Sequence, residues 1–453
     1  MRRLLVITLI TLVAAAVGSA AAEAKTLFLI KGFGYGHGIG MSQYGAYGRA
    51  LNGATFDQIL AAYYPGTSLK VGETKVVKVL LVSGHRTIEL SSAAPYTVVD
   101  GSGAEHQLPA GSSLVKRGFA VVTRSGTLKL TGPLRFVAGN EPLEAERRYR
   151  GALLVSKAEG SLRLINELPL ESYLLGVVPN EMPPSWHPEA LKAQAVAARS
   201  FALATRRGGD DFDLFADTRS QAYGGIDIER AATTTAVQAT SGQALFFGGK
   251  VASTFYSSTS GGRTAAIEDV FLGANPVAYL PAVDDPADEI SPYHRWGPVV
   301  FTSRQLGAQL ASPVPRKPVD AVVQLNASGR VELLIVSGRK RQASVAGPTV
   351  RTALGLRSSG FSVAVASLRS STRRVASGGR VTIKGIARGL GDYSLQRLKR
   401  NGRWVPVRRL KIDEGGAFTK RFRPRGTLRL RLASPSFTEA GRKPVTLVVR
   451  IRP

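Results

Sequence analysis

VVPNEMPPSWHPEALKAQAVAARS, residues 177–200, carries a helix and a candidate acid side by side. From Pro188 to about Arg206 the chain reads as one helix. Proline stands at its first position, Glu189 lies in the first turn where the helix dipole favours an acid, and Leu191, Ala195, Ala198 and Ala202 form a narrow apolar stripe. Residues that small let the helix pack closely. Just upstream, Glu181 is a lone carboxyl among Val177, Val178, Met182, Trp186 and two prolines. Apolar surroundings disfavour the charged form of a carboxyl, and a glutamate so placed holds its proton near neutral pH and can serve as a general acid. On spacing alone, a surface glutamate in a pre-helix loop is the simpler reading.

A second unusual stretch is GFGYGHGIGMSQYGAYG, residues 32–48. If it is extended, Gly32, Gly34, Gly36, Gly38 and Gly40 make one bare face, against which a backbone or a flat ligand can lie, and Phe33, Tyr35, His37, Ile39 and Met41 make the other. It is not a phosphate loop, because G-x-G-x-x-G fails at every register. His37 reads as a buried histidine bonded to backbone, as a turn residue, or as a hydrogen-bond partner that orients a substrate or the acid.

At 453 residues the chain is long enough for two to four domains. Arg2 and Arg3, the apolar run Leu4 to Val17 and the Ala22-Glu23-Ala24 site read as an export signal over residues 1–24, shorter than the ~20 apolar residues of a membrane span. The protein is therefore expected outside the cytoplasm, extracellular or wall-associated. With no cysteine, disulfides, thiolate metal sites and a thiol nucleophile are excluded. The five histidines (His37, His85, His106, His187 and His294) lack ligand spacing, so no metal or other cofactor is expected.

Thr55-Phe56-Asp57-Gln58 is a capping-box pattern that starts a helix ending before Pro65-Gly66. Residues 75–165 are short alternating runs separated by turns, an antiparallel β insert, and a weaker helical pattern follows at LESYLLGVV. Residues 366–453 alternate apolar and polar positions with closely spaced turns, as in a small Ig-like β-sandwich. The expected fold class is α+β: one domain over 25–364 carrying the insert, then an all-β sandwich. From Arg369 to the end 23 Lys and Arg stand against four acids, so 19 of the net +28 sits in that tail. Such a tail suits anionic wall polymers, or is simply an arginine-rich surface. A nucleic-acid partner is not expected, since no recognition-helix or RNA-binding aromatic pattern is present.

Other groups are weaker. The loop Ser257 to Gly262 offers hydroxyls and free backbone to sugar hydroxyls or a carboxylate. Two Ser-x-x-Lys matches, at Ser113 and Ser337, fall in β-like turns with no Lys-Thr-Gly, which argues against a penicillin-binding acyltransferase.

GYGHGIGMSQYGAYGRA, LESYLLGVVPNEMPPSWHPEALKAQAVAARSFAL, DTRSQAYGG, FYSSTSGG and ALGLRS together resemble the SpoIID/LytB (stage II sporulation protein D, amidase enhancer) family of bacterial cell-wall proteins, over roughly residues 27–363. The resemblance implies a SpoIID-type catalytic domain and a lytic transglycosylase acting on peptidoglycan glycan strands, with Glu181 as its catalytic acid/base. His37, Ser42, Gln43, Tyr44, Lys192, Gln194, Arg199, Gln221, Tyr223, Ser258 and Ser260 are then expected to bind substrate, with His37, Ser42 and Gln43 at the cleft floor. The glycine-rich segment commonly closes the family domain and here opens it, which reads as a circular permutation and requires the two ends of the domain to be neighbours. A cell-wall amidase is a further partner the resemblance implies. Some family members hold a metal through cysteine, which this chain cannot inherit. Two rival functions remain open: a non-catalytic wall-binding amidase enhancer, and a two-carboxylate muramidase with Glu167 or Asp217 as the second acid.

Overall fold

The computed structural model describes residues 25–72, 75–207 and 211–452, and the expected export signal lies outside the described residues. Ser42 ends the glycine-rich opening and caps helix α1 (Gln43–Leu51), its hydroxyl accepting the Gly45 N–H at 3.1 Å. The Thr55 capping box forms as the sequence predicts and starts α2 (Phe56–Tyr63), with the Gln58 side chain accepting the Thr55 N–H at 3.1 Å. LESYLLGVV gives two short pieces, α3 (Leu170–Leu175) and α4 (Val178–Glu181), and the strong helical pattern gives α5 (Pro188–Thr205).

The expected stripe of α5 is buried, but so are Ala190, Ala193, Val196 and Ala197, each fully. A helix apolar on most of its circumference belongs inside a protein. One side of α5 packs with Ile39 of the strap, Ile59 and Leu60 of α2 and Met182 just after α4, and the other with Leu168, Leu174 and Val178 from the last strand of the β insert and the two short helices that follow it.

That insert is antiparallel as expected. A seven-stranded sheet is built around Val76–His85, Ser161–Pro169 and Ala152–Ala158, with Leu214–Phe215 as its one parallel edge strand, and a six-stranded sheet is built around Thr87–Ser92 and Gly111–Lys116.

The glycine stretch departs from expectation. Extended chain is confined to Lys25–Phe33 and the short Met41–Ser42, and between them Gly34, Gly36, Gly38 and Gly40 have φ of +76°, +106°, +82° and +66°. These values lie in the region that side chains other than glycine rarely enter. The segment is a tight strap, and its bare positions are filled by the protein rather than left for a ligand. A Cβ on Gly38 falls 2.0 Å from Nη2 of the fully buried Arg330, and one on Gly40 falls 2.1 Å from the Phe255 carbonyl oxygen. Alternation of residue types cannot distinguish a strand from a chain of left-handed turns when every second residue is glycine.

The domain ends do meet. The Phe33 N–H donates to the Gly360 carbonyl at 2.9 Å and the Gly36 N–H to that of Arg357 at 3.0 Å, so the opening strap runs beside the closing ALGLRS.

The tail forms a two-sheet sandwich, but not a self-contained Ig-like domain. One sheet orders Arg295–Thr302, Lys25–Phe33, Phe361–Ser370, Val381–Arg388 and Ala417–Phe422, and the other orders Arg374–Val375, Val445–Ile451, Leu428–Ala433, Ser394–Leu398 and Trp404–Pro406. Leu29, Leu368, Ile383, Phe418, Leu430 and Leu432 fill the layer between them. The boundary expected at 364–366 thus falls inside a strand, Phe361–Ser370, that hydrogen-bonds to Lys25–Phe33 in register, Leu27 opposite Ala366. The composition shift at 366 follows the outward-facing cations and carries no information about which strands pair.

Candidate active site

Glu181 is the last residue of α4, where the following Met182 turns extended and the chain enters the double-proline loop. Its carboxyl is mostly buried, and burial pushes its pKa above the ordinary carboxylate range. The Ala222 N–H donates to Oε1 at 3.3 Å, and this bond, with contacts from the Gln43 and Tyr256 side chains, opposes the rise in part. All three are neutral hydrogen-bond donors.

Two buried phenols flank the carboxyl. Burial, then the Glu181 charge, raises the hydroxyls of Tyr173 and Tyr256 well above the usual tyrosine range. Gln221, itself 1% exposed, ties them together: Tyr173 Oη donates to its Oε1 at 3.2 Å and its Nε2 donates to Tyr256 Oη at 2.7 Å. On the other side, Gln43 Nε2 donates to the Glu181 main-chain carbonyl at 2.9 Å and to Gln194 Oε1 at 3.3 Å. Gln194 is fully buried, and its Nε2 has no partner among the described residues.

Aromatic rings stand on the segments that carry Glu181 and Gln43. Trp186, five residues beyond Glu181, stacks on Tyr47 with centroids 4.6 Å apart and planes at 8°, and meets Tyr44 edge-on at 4.7 Å. Tyr44 and Tyr47 share α1 with Gln43, so the same helix positions both the acid's neighbour and the rings. Each ring is only part buried.

Of the residues expected to bind substrate, Gln43, Gln194 and Gln221 belong to the hydrogen-bonded set around Glu181, and Tyr44 meets the Trp186 ring. The others are held elsewhere. His37 packs edge-on against Phe255 at 5.9 Å, its Nδ1 accepting the Ile39 N–H at 3.0 Å, and burial followed by Arg351 and Arg330 pushes its pKa down to about 4. It is neutral at physiological pH and bonds the main chain of Tyr256, whose phenol is what reaches Glu181. Direct orientation of the acid by His37 is therefore corrected to an indirect contact through one residue.

Ser42 and Ser260 are taken up by a buried acidic pair and are not open to a ligand. Ser42 Oγ donates to Asp288 Oδ1 at 2.6 Å, the Ser260 N–H donates to the same oxygen at 2.9 Å, and Ser260 Oγ donates to Asp285 Oδ2 at 2.9 Å. Ser258 gives its carbonyl to the Tyr44 N–H at 3.0 Å and shares its hydroxyl with Thr259 at 3.2 Å.

Arg199 is 1% exposed and forks onto Glu171 at 2.8 and 2.7 Å, a strut between α5 and α3. Lys192 pairs with Glu189 at 2.7 Å, and Glu189 in turn accepts the Phe56 N–H at 2.7 Å, fastening α5 to α2. Tyr223 is a core residue whose hydroxyl donates to Asn166 Oδ1 at 2.8 Å. The two candidate second acids are engaged by cations instead: Glu167 by Arg135 at 2.9 Å and Asp217 by Arg219 at 2.7 Å.

Sequence reasoning missed Tyr173, Tyr256, Asp285 and Asp288. Tyr256 sits in FYSSTSGG, and the two aspartates in the acid- and proline-rich DDPADEI; nothing in the latter signals that Asp285 and Asp288 are fully buried.

The profile of the stage II sporulation protein family matches residues 158–247, which hold Glu181, α5 and Gln221. A stage II sporulation protein D of Bacillus amyloliquefaciens is 31% identical over 313 residues, 63% of this chain and 83% of that protein. An uncharacterised protein of Brachyspira hyodysenteriae is 37% identical over 131 residues, 28% of this chain and 36% of its own length. An amidase enhancer of Bacillus subtilis is 43% identical over 115 residues, 25% of this chain but 15% of that protein. The chain thus spans well under two thirds of the last two.

Proposed function

The chain belongs to the SpoIID family, that of stage II sporulation protein D, and on that premise we propose that it is an exported lytic transglycosylase of peptidoglycan with Glu181 as its single acid/base. The observation that carries the reading is a carboxyl held above the ordinary range by burial, whose polar neighbours are neutral donors rather than a second carboxylate. Such a group keeps its proton to higher pH than an exposed carboxyl does, and among the described residues no second carboxylate is set beside it to split the work of hydrolysis.

The reaction balances with one carboxyl. Protonated Glu181 gives its proton to the glycosidic oxygen between N-acetylmuramic acid and N-acetylglucosamine, the C1–O bond breaks, and the muramyl C6 hydroxyl attacks C1. Glu181, now a carboxylate, takes the hydroxyl proton and is restored. The product is a 1,6-anhydro ring, and no water is consumed. The Ala222 N–H and the Tyr256 side chain hold the carboxyl, Gln221 in turn holds Tyr256, and Trp186 with Tyr44 and Tyr47 supplies apolar ring surface on which the C–H face of a pyranose can rest. The name of one relative, amidase enhancer, supports a link between this chain and an amidase.

Mass spectrometry of fragments released from purified sacculi tests the reading. Anhydromuramyl ends support it, while ends heavier by one water identify a two-carboxylate muramidase. Binding with no released fragment identifies a wall-binding enhancer of an amidase and overturns the enzyme.

A further inference from the structure

The second sheet of the sandwich has one face in the core and one face open. Val375, Leu395, Leu430, Leu432, Leu447 and Val449 point inward and are all at most 8% exposed. By the alternation of side chains along a strand, the outward positions fall on Arg374, Arg450, Arg429 and Arg431, with Trp404 at the far edge. The register fixes their neighbours: Arg374 lies beside Arg450, Arg429 opposite Val448, Arg431 opposite Thr446 and Gln396, and Trp404 opposite Leu398. No acid occupies this face among the described residues. Arg374, Arg429 and Arg450 are exposed and have no acidic partner there, whereas Arg431 is ordered, its Nε donating to Gln396 Oε1 at 2.7 Å and its guanidinium lying 4.5 Å over the Trp404 ring.

We infer that this face docks a wall polymer built of phosphodiester-linked sugar or polyol units. Strands lie about 4.8 Å apart and alternate residues of one strand about 6.8 Å apart, so the arginines form a two-dimensional array of donors that meets recurring anions along a flexible chain. A membrane surface fits the face poorly, because Val448 is its one large exposed apolar side chain. Nucleic acid fits poorly as well, since its single aromatic ring is already covered by Arg431 and leaves no series of stacking platforms. Because the facing sheet includes Lys25–Phe33 and Arg295–Thr302, a polymer held here tethers the whole chain and not a detachable tail.

The test measures binding, not cleavage, and so stands apart from the fate of the enzyme reading. The full chain carrying Glu181→Gln, so that the wall is not consumed, is sedimented with purified Gram-positive walls, either intact or stripped of phosphodiester polymer with hydrofluoric acid. A variant adding Arg374→Gln, Arg429→Gln and Arg450→Gln is compared with a charge-matched control adding Arg369→Gln, Lys384→Gln and Arg421→Gln. The first is expected to bind intact walls at least ~10-fold more weakly at 0.1 M salt, with a log–log salt slope shallower by ~2. The control and the stripped walls set the comparison: the control keeps its binding, and stripping lowers parental binding to the level of the first variant. Equal loss in the control, undiminished binding to stripped walls, or tighter binding to phosphatidylglycerol vesicles or single-stranded DNA than to intact walls overturns the inference. Melting curves confirm that each variant is folded.

Discussion

Gln43 Nε2 donates to the main-chain carbonyl of Glu181 at 2.9 Å across 138 positions of sequence. One amide therefore joins the glycine-rich opening of the domain to the acid-bearing loop that precedes α5. It also explains the strap. Ser42 caps α1 only because the strap delivers it to Asp288, and α1, once started there, carries Gln43 to Glu181 and Tyr44 and Tyr47 to Trp186. The glycines serve the site by close packing against Arg330 and Phe255, one step removed from substrate.

Tyr256→Phe shifts the basic limb of the activity profile to higher pH. The Tyr256 contact favours the carboxylate and holds the Glu181 pKa down, while burial holds it up. Removing the hydroxyl leaves burial less opposed, so the acid keeps its proton further into the alkaline range. A kcat/KM profile of the variant against wild type reads the direction, and a limb that moves to lower pH contradicts the assignment.

Glu181→Gln makes the protein more stable at pH 7. A carboxyl whose folded pKa is raised loses its proton more easily in the unfolded chain, so ionisation above the unfolded value of about 4.3 destabilises the native state. The neutral amide escapes this cost, and the difference disappears below about pH 4, where both forms are uncharged. Thermal melting at the two pH values checks it; a variant that melts lower at pH 7 counts against a desolvated acid.

Trp186→Ala weakens binding more than turnover. The ring's aromatic partners are Tyr47 and Tyr44, so its loss raises KM for soluble glycan fragments about 10-fold while kcat stays within about threefold. Trp186→Phe recovers part of the affinity. A purely structural role lowers kcat and melting temperature together and leaves Phe no better than Ala.

Asp288→Ala costs ~3 kcal/mol or more of folding stability, because it strands the Ser260 and Gly261 N–H groups and the Ser42 hydroxyl, each of which donates to it inside the protein. Denaturant unfolding measures the loss, and a change below ~1 kcal/mol shows that water or a rearranged loop replaces the carboxylate.

The parts of this molecule that obey a local period could be read from sequence. α5 announces itself by Pro188, Glu189 and its alanines, the Thr55 capping box starts α2, and the alternation over 75–165 marks the antiparallel insert. The burial of Glu181 was legible too, since Val177, Val178 and Met182 around it are apolar and are themselves buried. What could not be read depends on pairing between distant segments. Nothing in KTLFLIKGF says that it will sit between Arg295–Thr302 and Phe361–Ser370, so sequence alone places the sandwich boundary inside one of its own strands. Ser42, Ser260 and Arg199 read from sequence as ligand-binding groups because polar residues near a cleft look alike, and only the fold shows Asp288, Asp285 and Glu171 occupying them. Tyr173 and Tyr256 lie 83 positions apart in sequence and come together beside Glu181 only in the folded chain, with Gln221 bonded to both.

The release of anhydromuramyl fragments from purified sacculi by wild type and by Glu181→Gln, at equal protein bound, tests the assignment of the acid most directly. The account predicts a fall of ~10³-fold or more in the variant with wall binding unchanged. Release of anhydromuramyl products by Glu181→Gln at a rate within tenfold of wild type would contradict it.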